Sequence, residues 1–181
     1  MEKTLYYLHT LSALHIGIGQ GSGVIDLPIA RERATQLPQV PGSSVKGVLR
    51  SEFQAGEDKT DYLALFGPES GVNASDFAGA LAVGDGRLLA LPVRSWRGTF
   101  AWATCPFILR RYQRDLKDIN ASDVPESVPT VDSKQALCTT GSVLIDNTNV
   151  YLEDLDLTPQ TNNNAANEWA DYIAKELGQD A

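Results

Sequence analysis

Two short stretches hold the residue types that could do chemistry. The first is LPQVPGSSVKGVLRSEF, residues 37–53, in which Gly42, Ser43 and Ser44 follow Pro41 and precede Lys46 and Arg50. A helix is expected to start there, and a helix start presents unpaired N–H groups with partial positive charge. Two hydroxyls and two full cations along one edge of that helix suit an oxyanion such as phosphate. The same residues also suit a plainer arrangement, a serine-capped amphipathic helix with two solvated cations. The second stretch is HIGIGQGSGVIDLP, residues 15–28, with His15 at its start, Asp26 near its end and four glycines between. On residue chemistry alone Asp26 is an ordinary exposed loop carboxylate, and His15, between Leu14 and Ile16, is an imidazole of the kind that can transfer protons near neutral pH. Arg31 and Arg33 follow directly, as phosphate contacts or as partners for Glu32 and other acids.

The elements that position these residues can be read from periodicity. Residues 3–12, KTLYYLHTLS, are aromatic and β-prone and predict a first strand. The glycine-rich stretch fits neither helix nor strand and is expected as a long exposed loop. After Pro41, the spacing of Val45, Val48, Leu49 and Phe53 predicts an apolar helical stripe, with Lys46 and Arg50 off it. DYLALFGP predicts a short helix stopped at Gly67-Pro68. Residues 79–94, GALAVGDGRLLALPVR, read as a hairpin turning at Asp85-Gly86. That hairpin carries no aromatic, and of Tyr6 and Tyr7 alternation turns one into the core, so base stacking on a sheet face is not expected.

A helix over 104–117 follows, with Pro106 in its first turn. Strands are expected within 142–157, and an amphipathic helix over 165–177 presents Trp169, Tyr172, Ile173 and Leu177 on one side. The order is β, α, β, β, α, β with additions. It predicts an α+β, ferredoxin-like (RRM-like) core over 1–157, with a long Gly-rich loop, then a linker and C-terminal helical extension over 158–181.

Composition narrows the function classes. The formal charge is -8 and the hydrophobic content 43%, so a packed core is expected and global disorder is not. The acidity is lopsided: residues 1–114 carry a net +2 and residues 115–181 a net -10. That argues against a general, sequence-blind binder of nucleic acid while leaving the N-terminal part able to offer a basic surface to a polyanion. Arg110, Arg111 and Arg114 form a second basic patch, suited to RNA or to an acidic neighbour. No apolar run is long enough to span a membrane, and the N-terminus lacks signal-peptide architecture. Cys105 and Cys138 are isolated and expected as reduced thiols of a cytoplasmic protein. GIGQGSG lacks the dinucleotide fingerprint and PGSSVKG the mononucleotide phosphate-loop order, which disfavours a nucleotide-using enzyme.

Together, YLHTLSALHIGIGQGSGVIDLPIARERATQLPQVPGSSVKGVLRSEF, DYLALFGP and RSWRGTFAWATCPFILRRYQRDL resemble the RAMP-superfamily backbone subunits of type III-B CRISPR (Cmr) effector complexes. The resemblance implies copies of one subunit stacked head-to-tail along a guide RNA beside other CRISPR effector subunits. Each copy would hold guide phosphates and cut the paired target RNA once. It implies that Ser43, Ser44, Lys46 and Arg50 hold the guide, and that Arg31 and Arg33 touch RNA. It further implies that Asp26 is catalytic with a divalent cation such as Mg²⁺ as cofactor, and that His15 is a catalytic or positioning group. Members of this family continue well beyond residue 181, so the chain is expected to be the first portion of a longer one. The competing reading is a guide-binding scaffold subunit that does not cut.

Overall fold

The computed structural model describes residues 2–19, 27–53, 59–68 and 77–178. Among these residues the order of elements is β1 (Gln39–Val40), α1 (Gly42–Phe53), α2 (Lys59–Phe66), β2 (Gly86–Arg87), β3 (Leu91–Arg94), β4 (Phe100–Ala103) and α3 (Pro106–Asp118). Then come β5 (Gln135–Leu137), β6 (Ile145–Asp146), β7 (Asn149–Leu152), β8 (Leu155–Gln160) and α4 (Asn164–Glu176). The chain divides into two compact units, residues 10–88 and residues 1–9 with 89–181.

The 10–88 unit is built on short antiparallel pairings. Gly17 bridges Ile29, Arg31 bridges Pro38, and β1 pairs with β2 through Gln39 opposite Arg87 and Val40 opposite Gly86. The arms of the glycine-rich stretch are therefore laddered: Ile18 N–H donates to Pro28 O at 3.0 Å and Ala30 N–H to Ile16 O at 2.7 Å. The expected free loop begins only beyond Gly19, and residues 20–26 lie outside the described residues. Helix α2 ends where Gly67 adopts φ +80, a conformation open to glycine, with its N–H on Leu63 O.

The other unit centres on an aromatic cluster. Leu109, Tyr112 and Leu116 recur at helical spacing along α3 and meet Trp169 and Tyr172 of α4. Trp169 is 1% exposed, and its indole N–H donates to Ser127 O at 2.8 Å, which satisfies the single polar atom of the ring. Its ring lies 5.8 Å from Tyr112 and 6.1 Å from Tyr172. Helix α4 starts at Asn163, whose side chain accepts from Ala166 N–H. The four-stranded sheet runs β5-β8-β7-β6, with β5 parallel to β8 and the remaining pairs antiparallel.

The two expected helices of this unit form within a residue or two of their predicted bounds. A single ferredoxin-like sheet is not what the strands form. Among the described residues they make separate two-, two- and four-stranded sheets, and residues 3–12 pair with no strand there. Residues 3–9 still alternate: Leu5 and Tyr7 pack on the aromatic cluster, while Tyr6 is exposed.

The hairpin is also displaced. Asp85-Gly86 makes no hairpin turn, because Gly86–Arg87 pairs with the distant Gln39–Val40. The hairpin is instead β3–β4, turning through 95–99 with Gly98 and Thr99 both at positive φ. This strand pair includes Phe100 and Trp102, so the expectation of a hairpin without aromatics fails.

Tyr7, Tyr112 and Tyr172 share one alkaline consequence. Burial comes first among the causes that raise each phenol above its ordinary value, and the nearby Glu176 carboxylate adds to all three. Tyr112 also donates to Tyr7, whose hydroxyl reaches Glu176 at 3.4 Å. A raised acid holds its proton longer in the folded state than in the unfolded one. The stabilisation is therefore full below the unfolded phenol value of about 10 and is lost as the pH rises above it. Urea denaturation between pH 9 and 11 should show stability falling with pH, and Tyr112→Phe should flatten that fall.

Candidate functional site

The start of α1 is held by its own unit. Gly42 is buried, and its N–H donates to Asp85 Oδ1 at 2.8 Å. A carboxylate at a helix N-terminus meets both the unpaired N–H and the positive end of the dipole. Pro41 O accepts from Ser44 and Val45 N–H, which begins the helical ladder. Glycine at 42 is a steric requirement: a Cβ there would lie 2.2 Å from Val83 O and 2.8 Å from Gly84 O. The close backbone approach that Gly42 permits is made to residues 83–84. The hydroxyl-bearing Ser43 and Ser44 are exposed on the first turn.

Lys46 and Arg50 lie on the side of α1 turned toward its own unit. Lys46 Nζ donates to Leu81 O at 2.7 Å. Arg50 Nε donates to Tyr62 OH at 2.8 Å, its other nitrogen reaches Gly67 O at 3.2 Å, and the guanidinium carbon lies 5.5 Å from the Tyr62 ring centre. The expected apolar stripe faces outward in part, with Val48 64% exposed and Leu49 and Phe53 also exposed. The reason is that Lys46 and Arg50 fall four apart from Gly42 on the inward edge, where they bind carbonyls at the end of α2 and in the following segment. All three acceptors are neutral, and among the described residues neither cation pairs with a carboxylate. Beside them on the first turn are the two exposed serines.

His15 joins the two arms at their open end. Its Nε2–H donates to Leu27 O at 2.8 Å, so the residue following Asp26 is fixed to the residue that opens the glycine-rich stretch. Asp26 itself lies outside the described residues. Arg31 donates to Gln36 O at 2.8 Å and closes its own turn, while Arg33 is exposed. The laddering runs from the His15 arm through residues 28–31 and 37–40 to the start of α1. The structure thus brings His15, the arm after Asp26, and the Ser43–Arg50 edge into one unit. Among the described residues no three His, Cys, Asp or Glu side chains cluster as a metal site, and no helix is long and apolar enough to cross a membrane.

Sequence reasoning missed Asp85, because Asp-Gly between apolar runs reads as a turn. The RAMP superfamily profile matches residues 7–170.

The chain belongs to the RAMP superfamily.

Within it, the chain is 35% identical over 162 residues to the CRISPR system Cmr endoribonuclease Cmr4 of Pyrococcus furiosus, covering 86% of this chain and 55% of that protein. Oligomeric Cmr4 from Pyrococcus furiosus superposes with a TM-score of 0.68 at 28% identity, over 82% of this chain and 55% of that one. A chain of a type III-B Cmr-beta complex bound to cognate target RNA shares the fold, with a TM-score of 0.59 at 17% identity, over 83% and 57% of the two chains. This RAMP chain therefore spans about half the length of the relatives it matches.

Two substitutions test how the helix start is held. Gly42→Ala forces its new methyl into the backbone at 83–84 and should cost about 1–3 kcal/mol. Asp85→Ala removes the remote cap and should cost about 1 kcal/mol. Urea denaturation of both variants measures the two costs.

Proposed function

We propose that this RAMP chain acts as a backbone subunit of a type III-B CRISPR effector complex. It holds guide RNA along the α1 edge and cuts paired target RNA with Asp26. The observation that carries the reading is the pair Lys46 and Arg50, held on neutral acceptors behind exposed Ser43 and Ser44, in the same unit as the pinned arm after Asp26. Neutral acceptors hold the two cations in place while leaving their charge to act on phosphate. Arg31 and Arg33 add positive charge on the turn between the arms and α1.

RNA supplies its own nucleophile. The 2′-oxygen attacks the adjacent phosphorus in line and its proton passes to the Asp26 carboxylate; the bond from phosphorus to the 5′-oxygen breaks, and that oxygen takes a proton from water, giving a 2′,3′-cyclic phosphate and a 5′-hydroxyl. His15 holds the Leu27 carbonyl and so anchors the arm that follows Asp26 in sequence. A divalent cation such as Mg²⁺, held by Asp26 and by RNA oxygens, would stabilise developing charge on the phosphate. Sequence choice belongs to guide–target pairing, and the protein reads the backbone. Copies of the subunit stack head-to-tail with other effector subunits in the cytoplasm. The Arg110, Arg111 and Arg114 surface and the acidic C-terminal third supply opposite charges for that stacking.

The decisive measurement uses an assembled, guide-loaded complex. Asp26→Asn should slow target cutting by at least about 10²-fold while guide and target binding persist. Removing divalent cations with EDTA should stop cutting by the parent complex, and Mg²⁺ should restore it. Undiminished cutting by Asp26→Asn would reject the catalytic reading and leave a guide-binding scaffold.

A further inference from the structure

The outward face of the β3–β4 hairpin carries an aromatic and cationic surface that the proposed guide and cleavage sites do not use. In this antiparallel pair Pro92 stands opposite Trp102, and Arg94 opposite Phe100. Residues directly opposite share a face. The alternate residues, Val93 and Ala101, point the other way, and Ala101 is buried. Trp102 is 50% exposed and Phe100 46% exposed. Their rings meet edge to face at 5.6 Å, and His9 meets Trp102 in the same manner at 5.9 Å. Edge-to-face contact fixes ring orientation without covering every ring face. Arg94 is exposed, and its backbone N–H is held by Glu153 Oε1 at 3.2 Å.

We propose that this face, formed by Arg94, Phe100 and Trp102 with His9, is a stacking platform for unpaired nucleobases of single-stranded RNA. The inference rests on the reading that the chain works on RNA. Every base has a π-face, so aromatic stacking takes bases without regard to sequence, and a neighbouring arginine supplies charge for the phosphate chain. Charge complementarity selects an anionic chain with flat apolar groups, which is what single-stranded RNA offers. A duplex stacks its bases internally and presents only backbone, so the platform takes nucleotides outside the guide–target duplex.

The test compares the parent chain with Phe100→Leu/Trp102→Leu, which keeps the face apolar, against oligouridylate and against a fully paired RNA duplex. Removing the two aromatics should weaken oligouridylate binding by roughly tenfold or more and leave duplex binding unchanged. A fold-independent check uses Trp96→Phe, in which exposed Trp102 and buried Trp169 remain as the emitters. Oligouridylate should quench part of that emission, and inorganic polyphosphate should not. Three results overturn the platform: undiminished oligouridylate binding by the double variant, equal quenching by polyphosphate, or quenching that depends on protein concentration without RNA. The last would mean that a second copy of the chain covers this face. If the parent chain binds neither RNA, the RNA reading falls with it; if it binds RNA and only the double variant is unaffected, the platform alone falls.

Discussion

The contact between the Asp85 carboxylate and the Gly42 N–H sets the start of α1, and the rest of the candidate site follows from it. Gly42 has no side chain because residues 83–84 lie against it. That approach brings the backbone around Leu81 within reach of Lys46. With Lys46 turned inward, Arg50 one turn later meets Tyr62 and the Gly67 carbonyl. One glycine and one remote carboxylate thus fix which edge of the helix faces its unit and which presents Ser43 and Ser44 to solvent.

This arrangement changes how the helix tip can hold an anion. The first N–H is already taken by a carboxylate, so phosphate recognition cannot rely on a fully open helix end. What remains is a hydroxyl-bearing first turn backed by two cations on neutral acceptors. Neutral partners orient a charged group without cancelling its field, so the site is preorganised and still positive. The inward cations also explain why α1 leaves Val48 and Leu49 exposed, since the inward positions are occupied.

The other unit follows a different logic. Its core is aromatic, with Tyr112 central among Tyr7, Trp169 and Tyr172. The polar ends of Tyr7, Tyr112 and Trp169 are linked by hydrogen bonds between the two phenols, to Glu176 and to the Ser127 carbonyl, which lets these bulky side chains pack into the core with their polar atoms partnered. In the β3–β4 hairpin of this unit, Ala101 is buried on one face and Phe100 and Trp102 stand exposed on the other.

Much of this protein was legible in its residues. The helical periods of 106–118 and 164–176 set those helices and their buried faces, because the 3.6-residue repeat of large apolar side chains has few other solutions. PGSSVKG marked a helix start, and alternation put one of Tyr6 and Tyr7 in the core, which the structure shows to be Tyr7. Strand partners were not legible, since pairing depends on contacts distant in sequence; Asp85-Gly86 has the composition of a turn and serves as a cap and a strand. Nor could periodicity reveal that Lys46 and Arg50 point inward, because a cation is welcome beside a helix's terminal carbonyls that only folding brings near. Local sequence fixed where the helices run; tertiary structure decided which backbone groups each charged side chain meets, because those groups come from distant parts of the chain.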